Sequence, residues 1–324
     1  MAEAMAAAAT VRAITSPNPW VGAVLVTRDG ASFPGATERP GGRHAEIVAI
    51  DAAAGAGDTT GATLYTTVEP CCHQGRTGPC TEAIIRAGVT RVVSGIEDPD
   101  ANVAGNGFAQ LRAAGIAVEV GMGSEGIRRQ LAPYIKHRTT GRPWVVLKLA
   151  SSLDGRTAAP DGTSKWITGP EARADAHRLR AESDAVIVGA GTVRADDPSL
   201  TVRAVEGDDP VRVVLGVAPP DAKVHPCIEL DGSPEQVLDE LGRRGIVQAM
   251  VEGGAMVAGE FHRRGLVDLY VVYVAPALFG GDDARPLMTG AGAMSIRDIW
   301  RGRITSVEPL GDDLRIEVEP CSPG

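Results

Sequence analysis

What limits the fold most is a single break in an otherwise regular rhythm. Short apolar runs alternate with amphipathic stretches along the chain, and one turn-rich cluster, Thr139-Thr140-Gly141-Arg142-Pro143, interrupts them directly before the apolar run that opens at Trp144. Ahead of the break, the pattern predicts strands at 21–26, 62–68, 91–96 and 117–120. Helices are predicted between them at 44–54, 80–87 and 107–114, with a longer helical pattern over 123–143. Beyond it, strands are expected at 144–150, 185–188, 211–217, 246–251 and 268–275, and helices at 170–181, 234–244 and 255–264. Alternation of this kind specifies an α/β layer architecture on each side of the break. The boundary is therefore expected after Arg142, giving domains 1–142 and 143–324, and nothing in the sequence suggests that one half duplicates the other.

Charge narrows the partners. The net charge of -9 opposes an extended phosphate-binding surface, and an aromatic content of 4% leaves little for base-stacking platforms, so no nucleic-acid partner is expected. A small phosphorylated ligand held by a few arginines is compatible with both. No apolar run reaches the roughly 18 residues that a membrane span needs. The alanine-rich start carries Glu3 and lacks a basic leader, so it reads as a first helix, and a cytoplasmic location is expected. Three of the five cysteines, Cys71, Cys72 and Cys80, fall within ten residues, a density that suggests a metal or catalytic site more than a disulfide framework.

Chemistry gathers around that cluster. His44-Ala45-Glu46 opens one predicted helix, while Pro70-Cys71 and Pro79-Cys80 run from a strand end into the next. One imidazole and two thiolates make the three-ligand set of a hydrolytic zinc centre, which keeps a fourth position for water. Thiolates near helix starts ionise more easily than those in mid-strand. Glu46, two residues past His44, cannot share its direction and is free to shuttle protons, as in zinc-dependent base deaminases. A His-x-Glu or a cysteine pair alone is commonly structural; their combination is what makes the catalytic reading specific.

The same stretches resemble the bifunctional riboflavin-biosynthesis deaminase/reductase family. The matching residues are Asn18-Pro19-Trp20-Val21-Gly22, His44-Ala45-Glu46 and Glu69 to Cys80. The resemblance implies a cytidine-deaminase-like α/β/α layer sandwich, with zinc on His44, Cys71 and Cys80 and Glu46 as the catalytic proton shuttle. Asn18, His73 and Arg76 are then implied substrate contacts, and Cys72 a bystander. Gly35-Ala36-Thr37 stands where many members have Gly-x-His, so a contact made by that histidine is absent or replaced.

Residues alone say less about the second half. No Gly-x-Gly-x-x-Gly follows the strand at 144–150, so a standard Rossmann site is not supported. Gly253-Gly254 before a helix and Arg180 with Arg203 suit anions, yet also fit an ordinary turn and a solvated helix face. The family resemblance extends here through Lys148 to Gly155, Ser164 to Thr168, Leu179 to Ala181, Gly189 to Arg203 and Val251 to Gly254. It implies a dihydrofolate-reductase-like α/β domain in which Ser151, Trp166, Thr192, Asp196 and Gly254 bind NADPH. Lys148, Ser164, Arg180, Leu200, Arg203 and Glu252 would hold a phosphorylated pyrimidine. The segment 218–250 reads as short for the family, and a homo-oligomer is expected, the apolar strand at 267–275 serving either a partner or the core.

Two rivals fit worse. A nucleic-acid deaminase conflicts with the acidic charge and with eight residues between Cys71 and Cys80; a noncatalytic zinc-stapled protein has no use for Glu46 beside the ligands.

Overall fold

A computed structural model describes residues 1–74 and 78–321, and the chain divides into two compact units, Met1–Gly141 and Arg142–Gly324. Gly141 itself caps the last helix of the first unit in a left-handed conformation (φ 74°), which the turn-rich cluster supplies.

In the first unit the order is α1 (Ala2–Ala9), β1 (Gly22–Val26), β2 (Ser32–Ala36), α2 (Ala45–Ala56), β3 (Thr63–Val68), α3 (Cys80–Arg86), β4 (Arg91–Ile96), α4 (Asn106–Ala113), β5 (Ala117–Val120), α5 (Ser124–Gln130) and α6 (Ala132–Thr140). They build one sheet in the order β2-β1-β3-β4-β5. β1 pairs antiparallel with both neighbours, whereas β3, β4 and β5 are parallel and need the crossover helices α3 and α4. Leu25, Leu64, Val92, Ile84, Ala49 and Ile127 share the core. The sheet's helical cover sits unusually close at Gly22 and Gly35, where a Cβ would strike the Ala4 and Ala45 carbonyls; only glycine permits that approach.

Two local readings change. The helical pattern over 123–143 is two helices, because Leu131 leaves helical geometry and Pro133 starts α6 afresh. β2 is an additional strand; it contains Pro34, tolerable because β2 lies at the sheet edge.

The second unit runs β6 (Trp144–Ser152), β7 (Arg156–Ala158), α7 (Pro170–Ala181), β8 (Ala185–Gly189), α8 (Ala190–Asp196), β9 (Val211–Leu215), β10 (Ile228–Leu230), α9 (Pro234–Arg243), β11 (Gln248–Val251), α10 (Ala255–Arg263), β12 (Leu269–Ala275), β13 (Arg285–Pro286), β14 (Gly302–Leu310) and β15 (Asp313–Pro320). Its main sheet has the order β10-β9-β8-β11-β6-β12-β15-β14. β10 through β12 are parallel, and an antiparallel β14–β15 hairpin completes the far side. Val145, Leu147 and Leu149 of β6 face α9 and α10; Val146 packs on the other side with Leu179 of α7.

The apolar stretch at 267–275 is resolved in favour of the core: β12 lies inside the sheet between β6 and β15, with Val271 and Tyr273 buried. It offers no free edge to a partner. The segment 218–250 keeps β10 and a well-capped α9, in which Ser233 and Gln236 form a reciprocal capping box.

Candidate active sites

In the first unit, chemistry collects at the carboxyl ends of the parallel strands, where open α/β sheets characteristically bind ligands. His44 is the N-cap of α2, Cys71 lies just past β3, and Cys80 is the first residue of α3. His44 Nδ1 stands 3.4 Å from Cys71 Sγ and 3.3 Å from Cys80 Sγ, and all three donor atoms lie within 4.8 Å of one another. A tetrahedral centre with Zn–N of about 2.0 Å and Zn–S of about 2.3 Å separates its nitrogen and sulfur ligands by about 3.5 Å, so the set fits zinc and leaves one position open. The Cys80 backbone N–H donates to Cys71 Sγ at 3.4 Å. Cys72 is half-buried and outside the trio.

Protons are distributed unevenly here. Cys80's hydrogen bond, followed by the one to His44, holds the Cys71 thiol well below its ordinary range; the same thiolate, with burial, pushes Cys80 up. His44 rises to about 8, chiefly through its bond to Cys71. Glu46 sits in the first turn of α2, 3% exposed, and is raised to about 7 by burial first and by the Cys71 charge second.

His44, Cys71 and Glu46 open on a cavity of about 360 Å³, which Asn18, His73 and Thr37 also line, with Cys80 buried behind them. Thr37, at the place of the missing Gly-x-His histidine, is buried and bonded to the Val21 backbone at 3.3 Å. Arg76 lies outside the described residues. The sequence reading missed the far wall. There Tyr134 Oη donates to Asp98 Oδ1 at 3.1 Å, and Arg138 lies over the Tyr134 ring and 3.5 Å from Asp100. Burial raises Asp98 to about 6. Glu69 braces this wall by accepting the backbone N–H groups of Asp98, Gly105 and Phe108 at 3.2, 2.9 and 3.1 Å.

In the second unit a cavity of about 1890 Å³ is large enough for two ligands together, since a single small-molecule pocket spans roughly 300–1,000 Å³. It brings together Lys148, Ser164, Trp166, Arg180, Thr192, Asp196, Leu200, Arg203, Glu252 and Gly254. Ser151 is the exception: it is 2% exposed in β6 and lies off the cavity lining. Strand alternation turns it to the side of Leu147 and Leu149, opposite Lys148.

Glu252 anchors the polar end. Arg180 grips it bidentately, Nε to Oε2 at 2.8 Å and Nη2 to Oε1 at 2.7 Å, and Lys148 Nζ reaches Oε1 at 3.3 Å. Burial alone would raise this carboxyl, but the two cations outweigh it and hold Glu252 down at about 2. Arg180 also donates to the Thr201 carbonyl at 3.2 Å, and Arg203 donates to the hydroxyls of Ser199 and, at 2.9 Å, Thr201.

At the other end, Gly254 caps α10 and its N–H donates to Thr192 Oγ1 at 3.0 Å, while a Cβ on Gly253 would press on Val257 at 2.9 Å. Gly253, Gly254 and Ala255 bring this helix start to the cavity wall, a position that suits a cofactor phosphate. Trp166 is 69% exposed, with the Arg173 guanidinium 4.7 Å above its ring, an aromatic surface a planar ligand ring can stack on.

Comparison with known proteins agrees with both halves. Residues 1–96 match the cytidine and deoxycytidylate deaminase zinc-binding region, and 143–316 match the RibD C-terminal domain. The chain is 40% identical to the riboflavin biosynthesis protein RibD of Mycobacterium tuberculosis over 95% of its own length and 93% of the relative's. To RibD of Escherichia coli it is 37% identical, covering 97% and 96%. Among solved structures, Acinetobacter baumannii RibD superposes with a TM-score of 0.92 at 37% identity, covering 99% of this chain and 98% of that one. A Thermotoga maritima diaminohydroxyphosphoribosylaminopyrimidine deaminase/5-amino-6-(5-phosphoribosylamino)uracil reductase gives a TM-score of 0.89 at 34% identity, with coverage of 99% and 97%.

Proposed function

The chain belongs to the bifunctional riboflavin-biosynthesis deaminase/reductase family, and from that premise we propose that its two cavities carry out the two consecutive reactions with the residues described above. The chain is an enzyme of riboflavin biosynthesis with deaminase and reductase activities. In the first reaction, 2,5-diamino-6-(5-phosphoribosylamino)pyrimidin-4-one loses its C2 amine as ammonia to water. In the second, the ribosyl group of the resulting uracil is reduced to ribityl, giving 5-amino-6-(5-phosphoribitylamino)uracil.

His44, Cys71 and Cys80 would hold zinc, which when bound supplies the Lewis acidity that makes water nucleophilic near neutral pH. Glu46 takes a proton from the attacking water and delivers it to the departing amine; its carboxyl, poised near neutrality by burial, suits both transfers. Asn18 and His73 orient the pyrimidine on the open side of the cavity, and the family resemblance adds Arg76 as a further substrate contact. The observation that carries the assignment is a three-donor set with zinc spacing, two of its donors lining one cavity together with a buried carboxylate that is not one of the donors.

In the second cavity NADPH, when bound, supplies the hydride to C1′. Gly254, Thr192, Trp166 and Asp196 would line the cofactor. Arg203, Ser164 and Leu200 hold the ribosyl phosphate and ring; Glu252, fixed by Arg180, orients the pyrimidine and keeps Lys148 Nζ near the sugar. A homo-oligomer is part of the same reading, supported by the edge strand β14, which exposes Ile304 and Val307. A cytoplasmic location is part of the same reading; the acidic charge disfavours a nucleic-acid surface, and no helix among the described residues is long and apolar enough to cross a membrane.

A coupled assay tests it. Purified chain given the diaminopyrimidine alone should release ammonia and accumulate the uracil, and added NADPH should then be oxidised with formation of the ribityl product. Release of ammonia without any NADPH oxidation would remove the second half of the assignment.

A further inference from the structure

A second cluster repeats the donor chemistry of the first in a different setting. His225 and Cys227 lie just ahead of β10, the edge strand of the second unit's sheet, and Glu229 lies within it; Cys227 packs on one side of the sheet and Leu230 on the other. One nitrogen, one sulfur and one carboxylate oxygen from these residues lie within 4.8 Å of one another. His225 Nδ1 is 3.5 Å from Cys227 Sγ, the separation expected between nitrogen and sulfur on a tetrahedral centre with bonds of about 2.0 and 2.3 Å.

Both outer ligands are already aimed. His225 Nε2 lies 2.9 Å from the Pro219 carbonyl, and a carbonyl can only accept, so the proton sits on Nε2 and the Nδ1 lone pair is left towards the sulfur. Glu229 Oε1 accepts the Ala218 N–H at 2.9 Å, which fixes the carboxylate over the same loop. Braced imidazole and braced carboxylate are the supports that metal-ligating side chains ordinarily have. His225 and Glu229 are exposed and Cys227 half-buried, so solvent can complete the coordination.

We propose that His225, Cys227 and Glu229 form a second metal site, separate from the deaminase centre, which takes a divalent cation of the zinc class with water as the remaining ligand. Mixed nitrogen, sulfur and oxygen donors favour zinc over magnesium or calcium, which take oxygen. The site ties the loop that carries Pro219 and Ala218 to the edge strand. Val217 and Lys223 of that loop line the reductase cavity, where Lys223 Nζ meets Asp197 at 2.8 Å. The metal is therefore a clip on one wall of the reductase cavity and takes no part in the chemistry.

Zinc stoichiometry of the full chain, dialysed against micromolar buffered free zinc, tests this. Wild type should hold two zinc ions per chain, and His225→Ala/Cys227→Ser one, with unchanged ammonia release. Because a cluster variant can misfold, a second readout uses the unaltered chain: zinc should slow alkylation of Cys227 by iodoacetamide by about tenfold or more, followed by peptide mass mapping. Wild type with a single zinc, a second zinc retained by the double variant, or Cys227 alkylation indifferent to zinc would each overturn the site.

Discussion

Glu46, buried, and Glu252, part-buried, both stand beside a proposed reacting centre, yet they are driven in opposite directions. Burial raises each carboxyl; what differs is the company. Glu46 faces the Cys71 thiolate and rises to about 7, whereas Glu252 faces Lys148 and Arg180 and falls to about 2. Zinc on the three donors would cancel the thiolate's share of that push, leaving burial to keep Glu46 able to exchange a proton. The first residue is thus built to move a proton, the second to remain a fixed anion. One side chain type performs two tasks because its neighbours set the cost of its charge.

The largest effect should come from the donors beside Glu46. Cys71→Ser/Cys80→Ser should remove the catalytic zinc and lower ammonia release by about 10³-fold or more, measured alongside metal content, while reduction of the separately supplied uracil stays within about twofold. Loss of reduction as well would show that the two halves are not separable.

Next comes the anchor. Glu252→Gln leaves Lys148 and Arg180 without their part-buried counter-charge, and should cost up to about 3 kcal/mol of the second unit's stability in denaturant titration, with loss of reductase turnover. Because the folded carboxyl is depressed from 4.5 to about 2, its stabilisation is complete above about pH 4.5 and disappears as pH falls towards 2. The acid limb of wild-type stability should be steeper than that of the variant.

Arg203→Ala is expected to raise KM for the phosphorylated substrate about 10- to 100-fold, by loss of charge-assisted bonds worth about 1.5–3 kcal/mol, with little change for a dephosphorylated analogue. An equal loss for both would mean that Arg203 does not read the phosphate. The smallest effect is at Asp98, raised by burial from 3.8 to about 6. A raised folded value favours the folded state below about pH 4, and that contribution is lost as pH climbs through 6. Asp98→Asn should flatten this part of the stability profile, read by hydrogen exchange of the Asp98 loop.

Legibility in the sequence tracked locality. His44, Glu46, Cys71 and Cys80 sit in short motifs at predicted helix starts, so residue types and spacing sufficed to place them. The Glu252 clamp joins residues 104 and 72 positions apart, and only the resemblance put its members in one group; their ion pairing had no local signature. Asp98, Tyr134 and Arg138 were missed because the wall they form is assembled from a loop and α6, with no motif in either. The β14–β15 hairpin did have a signal, Gly311-Asp312 between two alternating runs, with Gly311 at positive φ. Its alternation is blurred because Arg303, Ile304, Val307 and Leu314 all lie exposed, so apolar and polar residues do not separate by face.

The most direct measurement is of Glu46→Gln, a change that keeps shape and removes the proton carrier. The zinc-loaded variant should retain its zinc at the three donors, lose ammonia release by about 10²- to 10⁴-fold, and still oxidise NADPH at the wild-type rate when given the deaminated uracil. Normal ammonia release with zinc in place would contradict the role given to Glu46 and, with it, the division of labour between the two glutamates.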